Sequence, residues 1–321
     1  MPHTSIQLGV VMDPIAAIKP PKDTTLAMLL AAQARRWSLR YMEQSDLYLQ
    51  DGVAWGHTQA LEVKDSAQGW YTLGDNRDQK LGDLDIILMR KDPPFNLEYI
   101  YSTYILERAE AAGCVVVNRP QSLRDANEKA YTAWFSQCCP PTLVTRSQKR
   151  MRDFLAMHHK IVVKPLDGMG GESVFILDES APNLTVVFET LTARGARMAM
   201  AQKFVPEISA GDKRILLIDG EPVPYALARI PAPGESRGNL AAGGHGIGVP
   251  LSARDRWICA QVAPALREKG LWFVGLDVIG DYLTEINVTS PTCARELDKL
   301  YGLNIAGQLM DALAAKLRHE A

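Results

Sequence analysis

The chain has 321 residues, 47% of them hydrophobic and 22% charged, with 35 Lys and Arg against 37 Asp and Glu. That length suggests about two domains, and the composition is that of an ordinary globular protein with a sizeable core. The near balance of charge excludes nucleic acid or an anionic membrane as the main partner.

The five cysteines, Cys114, Cys138, Cys139, Cys259 and Cys293, are scattered without a CxxC. They fit free thiols in a reducing cytoplasm and not a disulfide framework. The N-terminus lacks a basic segment followed by an apolar one, so no signal peptide is expected. The uncharged run Thr24 to Ala34 is too short to span a bilayer.

Ile6 to Met12 reads as a buried strand leading directly to Asp13-Pro14. No G-x-G-x-x-G follows, so this is not a Rossmann dinucleotide site. Asp23 or Thr24 caps a helix running through Arg36, with Leu26, Leu29, Leu30 and Ala34 at helical spacing. Ser38 to Met42 is a second strand, which makes a βαβ unit and implies a parallel sheet. Leu47 to Gly74 reads as short β excursions with turns at Asp51-Gly52 and Gly56. The strand Leu84 to Met89 delivers Arg90-Lys91-Asp92-Pro93-Pro94 to a carboxyl edge, where open α/β sheets bind ligands; a solvated loop is the plain alternative. A helix, Leu97 to Ala112, stops at Gly113, and Val115 to Val117 is a further strand.

Asn118 to Pro141 reads as a connector with helical content, carrying Lys129 on a short helix. A domain boundary falls between Asn118 and Lys129, because βαβ alternation then gives way to antiparallel patterns. Thr142 to Thr145 is a strand and Ser147 to His158 a helix; His158 and His159 read as surface residues. In Ile161 to Pro165 (IVVKP), Lys164 interrupts an apolar strand and needs an anionic partner or an exit to solvent. Asp167-Gly168-Met169-Gly170-Gly171 follows. Three glycines in four residues let backbone N–H groups approach an anion closely. The next segment, Ser173 to Leu177, is a strand, so the loop is a hairpin lid and not a P-loop. A plain β-turn also accounts for the glycines.

Pro182 to Arg194 reads as a helix, and Arg197 to Val205 as a strand that can offer backbone groups to an adenine edge. Lys213 to Ile218 and Val223 to Arg229 form a hairpin about Asp219-Gly220, flanked by Arg214 and Arg229. Ile230 to Val249 is a long loop rich in Gly, Pro and Ala, either functional or disordered, and is the candidate lid. Ser252 to Lys269 is a helix with a kink expected at Pro264, and Asn304 to Arg318 is the C-terminal helix.

The stretch Leu271 to Pro291 (LWFVGLDVIGDYLTEINVTSP) holds three oxygen donors in an apolar hairpin: Asp277 on one strand, Glu285 and Asn287 on one face of the other. Two carboxylates buried this close need positive charge nearby, and a hard cation such as Mg²⁺ suits the donor set. Register decides the matter. A two-residue turn sets Asp277 opposite Thr284 and sends Glu285 to the other face. A three-residue turn pairs Ile279 with Leu283 and Asp277 with Glu285, and the metal reading requires it. A half-buried hairpin with its polar residues in water is the competing account.

Taken together these pieces resemble the ATP-grasp superfamily, and more closely the bacterial glutathione synthetases. The resemblance runs from GVVMDPI through LMRKDPPF, YILERAE, NRPQSLRDANEK, VKPLDGMGG, DKRILLIDGEPVPYALARIP, GNLAAGG and GLDVIG to TEINVTSPT. It implies an α/β fold, α+β in part: an ATP-grasp fold with an N-terminal parallel α/β domain. The implied division is a substrate-side domain over 1–122, a central lid subdomain over 123–200 and a catalytic domain over 201–321.

The resemblance also implies the roles. Lys129 and Lys164 contact ATP phosphates, and Gly168, Met169, Gly170 and Gly171 cover them. Gln202, Lys203, Phe204 and Val205 frame the adenine, with Asp212 toward the ribose. Asp277, Glu285 and Asn287 hold Mg²⁺, with Mn²⁺ as an alternative. Arg214 and Arg229 neutralise the phosphoryl group in transit, assisted by Arg237. Thr289 to Thr292 borders the peptide and glycine site. His245 stands where the resemblance leads one to expect an arginine. The implied reaction joins γ-glutamylcysteine to glycine through an acylphosphate at the cost of ATP, in a homotetramer. The rivals are another ATP-grasp ligase with a different acceptor and a phosphotransferase.

Overall fold

The computed structural model describes residues 6–232, 238 and 244–320. Three sheets carry the chain.

The first sheet begins with β1 (Gln7–Val11), α1 (Thr24–Ala34) and β2 (Ser38–Met42). The Asp23 carboxylate caps α1 by accepting from Leu26 N at 2.6 Å. There follow β3 (Leu47–Gln50), β4 (Val53–Val63), β5 (Tyr71–Lys80), β6 (Ile86–Met89), α2 (Leu97–Ala111), β7 (Val115–Val117) and α3 (Pro120–Asp125). The order is β3-β4-β2-β1-β6-β7, with β5 on β4. Strands β2, β1, β6 and β7 are parallel, as the βαβ pattern predicts. The expected turn at Gly56 is absent: β4 runs straight through it. Glycine is needed there for close approach, since a Cβ would meet Leu81 Cδ2 and Met42 Sδ at 2.8 Å.

The second sheet holds β8 (Thr142–Thr145), α4 (Gln148–His158), β9 (Lys160–Pro165), β10 (Phe175–Asp178), α5 (Leu184–Leu191) and β11 (Ala199–Lys203). Its strands are antiparallel in the order β10-β9-β11-β8. It has its own core, built on Met151, Leu155, Ile161, Val163 and Phe188. Strand β11 belongs to this sheet, so the expected division at residue 200 falls inside it.

The third sheet has β12 (Asp212–Ile218), β13 (Glu221–Pro222), β14 (Tyr225–Ile230), β15 (His245–Pro250), α6 (Ala253–Glu268), β16 (Phe273–Ile279) and β17 (Tyr282–Asn287), followed by α7 (Ala294–Tyr301) and α8 (Ile305–Glu320). Its order is β15-β14-β12-β16-β17. The expected loop Ile230 to Val249 is thus partly strand: His245 to Val249 pairs with β14, His245 opposite Ile230. Residues 233–237 and 239–243, with Arg237 among them, lie outside the described residues. Helix α7 carries no expectation from the sequence. It starts at Cys293, which sits at φ 87°.

Two large cores fuse the first and third sheets. One joins Ile87, Met89 and Leu106 to Ile215, Leu276 and Ile258. The other joins Leu8, Val10 and Leu29 to Leu216, Leu309 and Leu313. This burial fixes the carboxyl edge of the first sheet against the β16–β17 hairpin.

Candidate functional site

The β16–β17 hairpin takes half of each register weighed from the sequence. At the turn, Ile279 pairs with Tyr282 and Val278 with Leu283, the two-residue arrangement. The register then shifts between Val278 and Asp277, so that Asp277 pairs with Glu285 and Gly275 with Asn287. Thr284 is the extra residue of a β-bulge, and its Oγ1 donates to the Asp277 carbonyl at 3.1 Å. The three-residue turn is therefore corrected to a two-residue turn plus a bulge. The pairing that the metal reading requires is nevertheless present.

Asp277, Glu285 and Asn287 line one cavity of about 370 Å³. Every other residue to which the resemblance gives a role lines it too, apart from Arg237. Lys129, Lys164, Asp212, Arg214 and Arg229 share it with the glycine hairpin and with Gln202 to Val205.

The carboxylates are neutralised by the protein's own cations. Arg214 grips Asp277 with two bonds, Nε to Oδ1 at 2.5 Å and Nη2 to Oδ2 at 3.1 Å. Arg229 Nη2 reaches Asp277 Oδ2 at 2.9 Å and also donates to Asp212 Oδ2 at 2.5 Å. Glu285 Oε1 lies 3.3 Å from Lys164 Nζ and 3.5 Å from Lys129 Nζ. Burial pushes the Asp277 carboxyl up, but the two arginines outweigh it and hold it well below the usual range. Glu285 follows the same pattern: burial raises it, and Lys129 and Lys164 pull it down further. Asp212 goes the other way. Burial, with Asp277 and Glu285 nearby, overrides Arg229 and lifts it to about 6. Its Oδ1 is buried without a hydrogen-bond partner among the described residues.

Sequence reasoning missed Glu128. It lines the cavity, pairs with Lys129 and is pushed up by burial and by Glu285. Its carbonyl accepts from Ile286 N at 2.8 Å, so the segment before Lys129 adds to the edge of β17. Glu128 sits in the very stretch that carries Lys129, and a carboxylate beside a lysine bound for a buried site was the available signal. Lys129 also donates to the Gly168 carbonyl at 2.7 Å, tying the glycine hairpin to the cavity floor. Gly168 has no room for a side chain, since a Cβ would meet Pro165 Cγ at 2.7 Å. Gly170 and Gly171 sit at φ 63° and 81°, where other residues are strained. At the opposite end, Gln202 donates to Thr142 Oγ1 at 3.1 Å and the Phe204 ring lies 4.3 Å from Lys160 Nζ.

The donor set fits a hard divalent cation: two carboxylates and an amide, all oxygen ligands, facing one cavity. Among the described residues no three His, Cys, Asp or Glu side chains cluster as a metal site.

An antiparallel lid sheet facing a second sheet across a cavity of lysines, arginines and acidic oxygens defines an ATP-grasp ligase. Solved structures share this fold: the D-cycloserine synthetase DcsG aligns over 97% of this chain and 99% of its own at TM-score 0.69 and 17% identity. The ATP-grasp ligase PsnB, complexed with a minimal precursor, Mg and ADP, aligns over 97% and 98% at TM-score 0.63 and 16% identity. The family models are more specific. Residues 6–124 match the prokaryotic glutathione synthetase N-terminal domain, and residues 128–302 match the prokaryotic glutathione synthetase ATP-grasp domain. The glutathione synthetase of Pseudomonas aeruginosa is 63% identical, covering 98% of this chain and 99% of its own. That of Escherichia coli is 57% identical, covering 98% and 100%. The chain belongs to the prokaryotic glutathione synthetase family.

Proposed function

We propose that the protein joins γ-glutamylcysteine and glycine to form glutathione, with ATP converted to ADP and phosphate. The observation that carries this reading is the single cavity in which four buried cations, three oxygen donors and a glycine hairpin meet, in a chain of this family.

A carboxylate resists an amine because its leaving group is poor. Phosphoryl transfer makes the cysteinyl carboxylate an acylphosphate, and the glycine amine then displaces phosphate. No protein nucleophile is needed; positioning and charge neutralisation carry the catalysis. Lys129 and Lys164 receive the phosphates, and Gly168, Met169, Gly170 and Gly171 cover them; the burial of both lysines at the cavity supports this reading. Arg214 and Arg229 hold charge developing on the transferred group, and Arg237 is assigned an assisting role from the sequence alone. Gln202 to Val205 frame the adenine, with Asp212 toward the ribose. Asp277, Glu285 and Asn287 would hold Mg²⁺, or Mn²⁺ in its place, which supplies further neutralisation of phosphate charge. The carboxylates and cations satisfy one another across the cavity. With ATP and metal bound, the cations would serve phosphate, and Asp277 and Glu285 would serve the metal.

We read the setting as cytoplasmic, since all five cysteines are free thiols, and the assembly as the homotetramer that the family resemblance implies. No helix among the described residues is long and apolar enough to cross a membrane. The test is ADP release by purified protein with each substrate omitted in turn. One glutathione per ADP, with both peptide and glycine required, is the expected result. ADP formed without glycine would mark a phosphotransferase, and preference for another amine would mark a different ligase.

A further inference from the structure

Thr142 opens β8 and does not itself line the cavity, but it bonds a residue that does, Gln202. A threonine hydroxyl has one proton to give and lone pairs to receive with. Thr142 Oγ1 lies 2.8 Å from the Pro140 carbonyl, an oxygen that can only accept, so the proton is committed there. Toward Gln202 the hydroxyl then has only a lone pair to offer, and Gln202 Nε2 donates to it at 3.1 Å. The direction of the amide follows: its nitrogen faces Thr142 and its oxygen faces away.

The pair is held in place by its strands. Thr142 and Gln202 are cross-strand partners in β8 and β11. Just beyond them the Lys203 N–H donates to the Pro141 carbonyl at 2.9 Å, and the Phe204 N–H to the Lys160 carbonyl at 3.0 Å. Gln202 is 4% exposed, and among the described residues its side chain makes no other hydrogen bond. Its Oε1 is therefore the polar end left for the cavity. If the amide turned over, Oε1 would meet Thr142 Oγ1 with no proton between them unless the Pro140 bond were given up. Turning over thus costs a hydrogen bond. An acceptor fixed at this position suits an amino group. Adenine carries one at its six-position, whereas hypoxanthine and guanine carry an oxygen there. Two acceptors set against each other leave both unpaired, and sites of that kind discriminate steeply.

We propose that Thr142 is a positioning residue for nucleotide choice: donating to the Pro140 carbonyl and accepting from Gln202 Nε2, it holds Gln202 Oε1 toward the base, so that the site takes a 6-aminopurine triphosphate and rejects a 6-oxopurine. The inference rests on the nucleotide site of the ligase reading above and assigns base selection to a residue outside the cavity. Glutamine alone cannot make this choice, because its amide offers a donor and an acceptor of nearly the same shape. The hydroxyl behind it removes the ambiguity.

The test uses the full-length protein and reads nucleotide Kd with Mg²⁺ by equilibrium dialysis, so no turnover is needed. Three probes are compared: ATP; ITP, whose base has the oxygen; and purine riboside triphosphate, which has only hydrogen at that position. In Thr142→Val the amide is free to turn over, and the preference for ATP over ITP should shrink at least about fivefold, the weight of one neutral hydrogen bond. Purine riboside triphosphate is blind to the direction of the amide, and its Kd should match wild type. Thr142→Ser keeps the hydroxyl and should keep the wild-type preference. If the valine variant does not fold, Thr142→Ala takes its place. A folded valine or alanine variant with the wild-type ratio of ATP to ITP affinity overturns the proposal, as does a serine variant that loses the ratio with them. An equal loss across all three nucleotides also overturns it, since that marks a residue that merely ties β8 to β11. So does wild type that binds ATP and ITP alike. Wild type that selects ATP but forms no glutathione sinks the ligase reading and leaves this inference standing; wild type that forms glutathione and is matched by its variants in base preference sinks this inference alone.

Discussion

Replacing Lys164 by Met separates a phosphate-binding role from a structural one. Lys164 is 6% exposed in β9, and its Nζ sits 3.3 Å from Glu285 Oε1. Methionine keeps most of the apolar stem and so most of the packing. Stranding a buried carboxylate costs about 3–5 kcal/mol, but Glu285 keeps Lys129 at 3.5 Å. The stability loss should therefore fall well below that, at about 1.5–2 kcal/mol, the lower part of the range for one hydrogen bond to a charged group. On the proposed reading the same lysine meets phosphate alongside Lys129, and each makes its own bond to it. Losing that bond costs about 1.5–3 kcal/mol, or about 10- to 150-fold in ATP affinity. Titration calorimetry with ATP and Mg²⁺ gives the second number, and denaturant unfolding without ligand gives the first. ATP affinity within twofold of wild type, alongside several kcal/mol of lost stability, would falsify the phosphate assignment and leave Lys164 as a structural counter-ion to Glu285.

Asp277→Asn leaves Arg214 and Arg229 facing each other without their shared carboxylate, so we expect about 3–5 kcal/mol of destabilisation, read by denaturant unfolding. Because Asp277 has a depressed folded pKa, its contribution is present above the unfolded value of about 3.9 and fades as pH falls below it; the variant's stability should be flatter in acid than the wild type's. Asp212 has the opposite sign. With a folded pKa of about 6 it holds its proton longer in the native state, so stability declines as pH rises from about 4 to 6; Asp212→Asn should remove that decline, and an unchanged pH–stability curve would count against the shift. Gly275→Ala should cost about 1–3 kcal/mol by overpacking, because the new methyl meets Arg214 Cδ at 2.9 Å and the arginine is pinned by Asp277. A variant of wild-type stability and activity would show that Pro291 and Arg214 have room to yield.

The layers of the fold were legible because burial imposes periodicity. Strands β1 and β6 are apolar runs flanked by turn residues, and α1 opens at a capping aspartate, so the parallel sheet follows from the sequence. The exceptions share one cause. Gly56 reads as a turn because glycine is a turn residue, yet here its missing side chain makes room for Leu81 and Met42, which lie far off in sequence. The strand His245–Pro250 contains two glycines and a proline and is half exposed, so no hydrophobic alternation marks it; only its pairing with β14 reveals it. Glu128 was overlooked for a similar reason. Nothing local says that the residue before Lys129 is tied to the edge of β17 by its own carbonyl.

The hairpin shows how far local reasoning reaches when chemistry is added. From turn geometry alone, the two-residue turn at Gly280-Asp281 is the natural choice, and it is the one that forms. From the chemistry alone, Asp277 and Glu285 must share a face. The two demands conflict by one residue, and a β-bulge is the structural unit that absorbs one residue. A threonine suits the bulge because its hydroxyl bonds the Asp277 carbonyl opposite. The sequence argument framed a choice between two turns, whereas the protein keeps the favourable turn and places the correction inside the strand, next to the residues whose alignment matters. The same logic applies to charge. Two buried carboxylates did require positive partners, and these are Arg214, Arg229, Lys129 and Lys164, all contributed by other segments. On the proposed reading, nucleotide takes the cations of this network and metal takes its carboxylates. Each leaves behind the groups the other needs, which makes their binding mutually reinforcing: ATP affinity should rise with Mg²⁺ and Mg²⁺ affinity with ATP by the same factor. Titration of each in the presence and absence of the other measures that factor, and a value near one would mean that the ion pairs survive loading.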